Sequence, residues 1–476
     1  MQIPEKGLSK EQVLGTLQAF KSRDMDWKAG KVWCYVYNPG EEPAEVTKEA
    51  YLSFLSENGL DPTVFPSMLK LETDVVRMVA NLLHGDENVV GHLTTGGTES
   101  IMLAVKTARD RARMLHPEIS RPEMVLPKTA HASFHKAAHY LSVTPVVVDI
   151  NPDTFKVEAD SMREAITENT ILLVASAPSY SQGVIDPIAE IGALAQQRNL
   201  LFHVDGCVGG IHLSFMRKLG YELPGFDFSV PGVTSISTDL HKYGYAAKGA
   251  STILYRDKEI RKYQIFACTD TTAYTLINPT VLSTKSGGPM AGAWAILTYL
   301  GEEGFMHIVK TVQEATKKLI HGINAIPELE VLGQPAMCMF SFKSDLINVY
   351  QLGDAMARRG WYIQGQFSTP LTPRNLHISV NYGTTHQVDA LLKDLGECVE
   401  EVKQADPIDS DGIRAMVHAA LQGPDPEAAF NQLAASAGLA GTDLPEEMAF
   451  INEVLDALPD PLCNTFLVNY FNDLYV

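Results

Sequence analysis

The feature that most constrains this chain is an alternation, from about residue 90 to 260, of short apolar runs with helix-patterned stretches. The runs are MVLP at 124–127, PVVVDI at 145–150, TILLVAS at 170–176, LLFHVD at 200–205, VTSIST at 233–238 and STILY at 251–255. Strands apolar on both faces must be covered on both, so the pattern predicts an α/β fold with a mostly parallel sheet between helices. The intervening stretches supply those helices. TESIMLAVKTARDRARML opens at Thr98, while ADSMREAIT and DPIAEIGALAQQRN each begin near an aspartate. In open α/β sheets ligands gather outside the carboxyl ends of the strands, so functional residues are expected there.

Beyond Gly287 and Gly288 a long helical stretch leads to two further strand-like runs, VLGQPAMCMFSFKS and LHISVNYG, with helices near 347–359 and 386–404. A chain of 476 residues is long enough for two or three units. The expected division is an N-terminal segment 1–60, a large α/β domain 61–300, a smaller α+β domain 301–405 and a helical extension 406–476.

Charge narrows the partners. Thirty-eight Lys and Arg stand against 57 Asp and Glu, a formal charge of -19 that repels polyphosphate, so nucleic acid is not expected. A local pocket for one small anion survives such a field, because its hydrogen bonds act at short range. The six cysteines are scattered singly, with neither CxxC pairs nor zinc spacing, and read as reduced thiols of a cytoplasmic protein. The amino-terminal residues are charged where a signal peptide is apolar, and no stretch has the roughly 18 apolar residues of a membrane span. His131, His135 and His139 include helical i, i+4 spacings, but without a third ligand or an HExxH pattern no metal is expected.

Three strand-end segments carry chemistry. In STDLHKYGYAAKG at 237–249, Lys242 follows a strand; it reads either as a solvated surface charge or as a Schiff-base lysine, whose amine condenses with an aldehyde cofactor. In HVDGCVGG at 203–210, Asp205 reads either as a helix N-cap or as the carboxylate that keeps a pyridine nitrogen protonated. TTGGTES at 94–100 puts a Gly-rich turn before a helix, where free amides bind phosphate. The order cradle, carboxylate, lysine is more specific than any one member. His131, at a loop-to-helix entry, suits stacking on a pyridine ring; His135 and His139 read as ordinary helix residues.

TTGGTES, TAHASFHKAAHY, GVIDP, HVDGCVGG and GVTSISTDLHKYGYAAKGAS together resemble the sphingosine-1-phosphate lyases, fold type I pyridoxal phosphate enzymes of the group II decarboxylase superfamily. The resemblance runs from about Trp27 to Lys403. It implies pyridoxal 5'-phosphate as cofactor, with Lys242 as the Schiff-base lysine, Asp205 as the ring-nitrogen partner and His131 as the stacking residue. It also implies Gly96, Gly97, Thr98 and His241 as phosphate ligands, with Cys207 under the other ring face. Ser283 and Thr284 fall where the family brings a loop from a second subunit, which implies a homodimer with shared sites.

For a substrate phosphate, Tyr37 and Lys248 match the family's contacts. Asp61 stands where the lyases have histidine, Lys285 where they have arginine, and Leu276 where they have tyrosine. The activity implied is retro-aldol cleavage of a phosphorylated long-chain amino alcohol to a fatty aldehyde and phosphoethanolamine. The alternative is decarboxylation of an amino acid on the same cofactor. Both draw on one electron sink, and the pocket decides which bond breaks.

Overall fold

In the computed structural model, which describes residues 2–272, 274–422 and 447–475, a seven-stranded sheet runs in the order β1-β7-β6-β5-β4-β2-β3. Its strands are β1 (Val90–Thr94), β2 (Glu123–Pro127), β3 (Thr144–Val148), β4 (Thr170–Ser176), β5 (Leu201–Asp205), β6 (Ser235–Asp239) and β7 (Ser251–Tyr255). Strands β3, β2, β4, β5 and β6 are parallel, while β7 runs antiparallel to both β6 and β1. Every residue of β4, β5, β6 and β7 is buried, which is why these runs are continuous rather than alternating. Pro145 can donate no ladder bond and lies in β3, at the sheet edge.

In this half of the chain α1 (Lys10–Phe20) buries no residue and α2 (Glu41–Ser53) packs on the long helix that follows the sheet, while α3 (Pro66–Leu82), α4 (Gly97–Leu115), α5 (Ala132–Leu141), α6 (Ala159–Glu164), α7 (Ile188–Arg198), α8 (Gly209–Lys218) and α9 (Lys258–Arg261) cover the sheet. The helix read as opening at Thr98 starts one residue earlier, with Gly96 at its N-cap. The aspartate before α7 is not a cap. Asp186 is buried, and its Oδ2 accepts the Ser176 N–H at 2.8 Å, so it ties the end of β4 to the following loop.

Two short strands, β8 (Phe266–Cys268) and β9 (Leu276–Asn278), pair with each other before α10 (Gly287–Asn324). The expected boundary at 300/301 falls inside α10, where Gly301 kinks the helix with φ 55° and ψ -172°. A second, antiparallel sheet follows, in the order β10 (Glu330–Val331), β11 (Met339–Lys343), β13 (Asn375–Ser379), β12 (Gln364–Gln366). It packs with α11 (Val349–Arg358), which in turn packs with α12 (Val388–Gln404). The N-terminal segment joins it, because Val32 bridges to Tyr362 and the Trp33 side chain is fully buried. Among the described residues after 405, helices Ser410–Leu421, Ala449–Asp456 and Asp460–Leu474 enclose a small core of Val417, Ile451, Val454 and Phe466, and residues 423–446 of the expected extension lie outside the described residues.

Three core histidines make stability sensitive to acid. Burial lowers His203 to about 4, His212 to about 3 and His377 to about 3. An unfolded chain protonates these rings near 6.5, so between there and pH 4 it binds protons the folded chain refuses. Their contribution is therefore complete above pH 6.5 and is lost as pH falls. Asp186, raised by burial to about 6, and Asp354, also raised by burial, act in the opposite sense, two carboxyls against three rings. The melting temperature should fall steeply between pH 6.5 and 4, by several kcal/mol of stability; a flat profile there would contradict the neutral buried rings.

Candidate active site

The carboxyl edge of the large sheet gathers the site. Ladder register sets Ser176 beside Asp205 and Asp205 beside Ser237, so the ends of β4, β5 and β6 lie together. Above them opens a cavity of about 590 Å³ whose walls include Gly96, Gly97, Thr98, His131, Asp205, Cys207, His241 and Lys242. Tyr37 and Lys248 line it too. The second sheet closes it with Met339, Gln364 and Ser379.

Each group is oriented by its own segment. Asp205 ends β5, and its Oδ1 accepts the Cys207 N–H at 3.0 Å and the Ser237 hydroxyl at 3.4 Å. The Cys207 Sγ lies 3.2 Å from the same Ser237 hydroxyl, and burial raises the thiol well above its ordinary value. His131 is the N-cap of α5; its Nδ1 accepts the Ser133 N–H at 3.2 Å, which assigns the ring proton to Nε2. No side chain caps α4, so its first-turn amides are left for an anion. Thr98 Oγ1 and Ser133 Oγ, 2.9 Å apart, join the starts of α4 and α5.

Lys242 Nζ lies 3.0 Å from Asp239 Oδ2. Burial alone would lower the lysine, but the Asp239 carboxylate overrides it and raises it well above its ordinary value. Conversely, burial would raise Asp239, yet the Lys242 ammonium and then His241 hold it below the usual carboxylate range. Among the described residues, Asp239 Oδ1 is buried without a hydrogen-bond partner. A Cβ on Gly97 would stand 2.8 Å from both Asp239 oxygens and 2.9 Å from Cys207 Sγ, so only glycine leaves this cradle intact.

Lys248 Nζ donates to the carbonyls of Tyr35 at 3.0 Å and His241 at 3.3 Å, and sits 4.9 Å from the Tyr37 ring centroid. Burial and then the charge of Lys242 lower its ammonium.

Four expected residues stand outside this cavity. Ser283 and Thr284, which the resemblance assigns to the partner's site, are exposed just before α10. Asp61 is exposed and its Oδ1 accepts from the amide and hydroxyl of Thr63 at 2.8 and 2.7 Å, so its own turn occupies it. Lys285 is buried and its Nζ pairs with Glu72 at 2.5 Å; burial would raise that carboxyl, but His92 and Lys285 hold it at about 2. Neither Asp61 nor Lys285 lines the cavity of its own chain. Leu276 lies in β9.

Other cavity groups had no place among the expected residues. Asp239 sits three positions before Lys242, a spacing that itself signals contact across a turn. Tyr35, Tyr180 and Gln364 carried no signal, since they meet only in the folded chain: Gln364 Nε2 donates to the Tyr35 hydroxyl at 2.6 Å and its Oε1 accepts from Tyr180.

The residues fit pyridoxal phosphate: an uncapped helix start for the phosphate, a glycine cradle, a strand-end carboxylate, and a lysine within one cavity. Relatives agree. The pyridoxal-dependent decarboxylase conserved domain matches residues 46–345, and the C-terminal HTH domain of pyridoxal-dependent enzymes matches 412–473. Sphingosine-1-phosphate lyase of Oryza sativa subsp. japonica is 41% identical over 427 residues, covering 88% of this chain and 78% of that protein. A Pyrococcus furiosus protein named probable L-aspartate decarboxylase is 32% identical, covering 76% of this chain and 95% of its own. The solved sphingosine-1-phosphate lyase of Burkholderia pseudomallei superposes with a TM-score of 0.81 at 36% identity, over 89% of this chain and 97% of that one. The cofactor is pyridoxal 5'-phosphate. Cavity and relatives together establish that the chain belongs to the pyridoxal-dependent decarboxylase family, as a carbon–carbon lyase related to the sphingosine-1-phosphate lyases.

Proposed function

We propose that the protein cleaves a phosphorylated sphingoid base, of the sphingosine 1-phosphate kind, by a retro-aldol reaction to a fatty aldehyde and phosphoethanolamine. The observation that carries this reading is Lys248. Its ammonium faces the cavity over the Tyr37 ring and is held by two carbonyls, with no carboxylate in ion-pair range among the described residues. An uncompensated cation beside a phenol suits an anionic substrate group.

Bound pyridoxal phosphate supplies an aldehyde that links covalently to amines and a cationic ring that takes up the electrons of the broken bond. The rest falls to this chain. Asp205 keeps the ring nitrogen protonated, its carboxylate fixed by Cys207 and Ser237. His131 presents an imidazole pinned by its own cap. The amides of Gly97 and Thr98 hold the phosphate, with His241 beside them. Lys248 and Tyr37 anchor the substrate's far phosphate, fixing which bond is aligned for cleavage.

Replacing Lys248 by alanine should raise KM for the phosphorylated substrate by about 10–100-fold, the worth of a hydrogen bond to a charged group, and leave an unphosphorylated amine almost unaffected. Equal losses for both would remove the phosphate assignment. The second reading, amino-acid decarboxylation, draws on the Pyrococcus furiosus relative. Incubation with a phosphorylated sphingoid base and with a panel of amino acids separates the two; carbon dioxide without aldehyde would replace the first by the second.

We further propose a homodimer with shared sites in a reducing cytoplasm. In support, α1 buries no residue while Val13, Leu14, Leu17 and Phe20 are exposed, and all six cysteines are free. Light scattering that reads a monomer in the active preparation would overturn the dimer.

A further inference from the structure

We infer that Asp239 is a positioning residue for cofactor capture: it holds Lys242 as an unreactive ammonium until the incoming phosphate is seated at Gly97, and then takes its proton. The inference concerns the cofactor, not the substrate, so its failure would leave the proposed reaction untouched.

Three facts about one side chain lead here. Asp239 ends β6, and its Oδ2 touches the Lys242 ammonium at 3.0 Å. Its Oδ1 is buried and has no hydrogen-bond partner among the described residues. Both oxygens lie against the phosphate cradle, 2.8 Å from where a Gly97 Cβ would stand. With Lys242 in place the carboxylate is neutralised, and the amine is held in the protonated form that cannot attack an aldehyde.

The other groups around the pair do not take over either task. His241 Nε2 stands farther off, 3.7 Å from Oδ2. Burial keeps the proton on the Cys207 thiol and on the Tyr37 hydroxyl, and Lys248 brings a further positive charge. On α4, Glu99 is committed, with Oε2 accepting from Thr95 and Oε1 from the Val281 N–H. Among the described residues, Asp239 is the one carboxylate within 4.0 Å of Nζ.

A phosphate dianion at Gly97 changes this balance. Two anions a few ångströms apart in a water-poor site do not both stay fully ionised. The proton nearest to hand is on Lys242. Its transfer from Nζ to Oδ2 leaves a neutral carboxyl, able to donate a hydrogen bond toward the phosphate, and a neutral amine. The amine then forms its bond to the aldehyde carbon, and the carbonyl oxygen leaves as water with the two amine protons. Arrival of phosphate thus releases the nucleophile, and an aldehyde without phosphate meets an ammonium.

The test strips the cofactor, then follows by visible absorbance the capture of pyridoxal phosphate and of pyridoxal, each saturating, as a function of pH. The profile for pyridoxal should lie one to two pH units higher, about 10–100-fold slower at neutral pH. Added inorganic phosphite should move it back. In Asp239→Asn the two profiles should coincide. If that variant fails to fold, judged by thermal unfolding, the wild-type comparison with and without phosphite decides alone. Coincident wild-type profiles, indifference to phosphite, or a displacement that persists in folded Asp239→Asn would each overturn the inference.

Discussion

Lys242→Ala should abolish both the visible absorbance of the lysine-bound cofactor and turnover, with activity down on the order of 10⁴-fold or more. The substitution removes the cavity amine that Asp239 holds at 3.0 Å and leaves that buried carboxylate without its cation. Arginine will not rescue, because a guanidinium never yields the neutral amine an aldehyde requires. The rival nucleophile is Lys248, the other lysine on the wall, but its Nζ is occupied by two carbonyls. Retained absorbance in a folded Lys242→Ala protein would move the covalent role there.

Asp205→Asn carries the second large effect. Asparagine keeps the shape and can still accept the Cys207 N–H through its carbonyl oxygen, so the fold should stand. What it loses is the negative charge that would keep the ring nitrogen of bound cofactor protonated. Removing one preorganised charge-stabilising group from an enclosed site lowers turnover by about 10²–10³-fold. Cofactor should remain bound, because the cradle at α4 and Lys242 are untouched. Full activity in Asp205→Asn, measured with product detection and cofactor absorbance side by side, would assign the carboxylate the bland role of capping the turn before α8.

The large sheet was legible because its strands are buried on both faces. TILLVAS and STILY coincide with β4 and β7 to the residue, since a continuous apolar run bounded by polar turns marks its own ends. Direction was not legible in β7: an antiparallel strand buried between β6 and β1 has the same composition as a parallel one. Strands β10 and β12, of two and three residues, are too short to carry any periodicity. Asp186 misled because an aspartate before a helix looks like a cap from sequence, whereas here it bonds back to β4.

Within the site, glycine, aspartate and lysine at strand ends could be read because their chemistry follows from local position. The Asp239 contact with the Gly97 cradle could not, since it depends on β6 and α4 meeting across β7 and β1. The Tyr35–Gln364–Tyr180 group needs three distant segments and the second sheet.

The central claim is a covalent link between Lys242 and pyridoxal phosphate, and it has a direct measurement. Borohydride reduction of the holoenzyme fixes that link, and peptide mapping by mass spectrometry then locates it. The account predicts one pyridoxyl-phosphate adduct per chain, on the peptide containing Lys242. An adduct on Lys248 or any other lysine, or none in a catalytically active preparation, would contradict it.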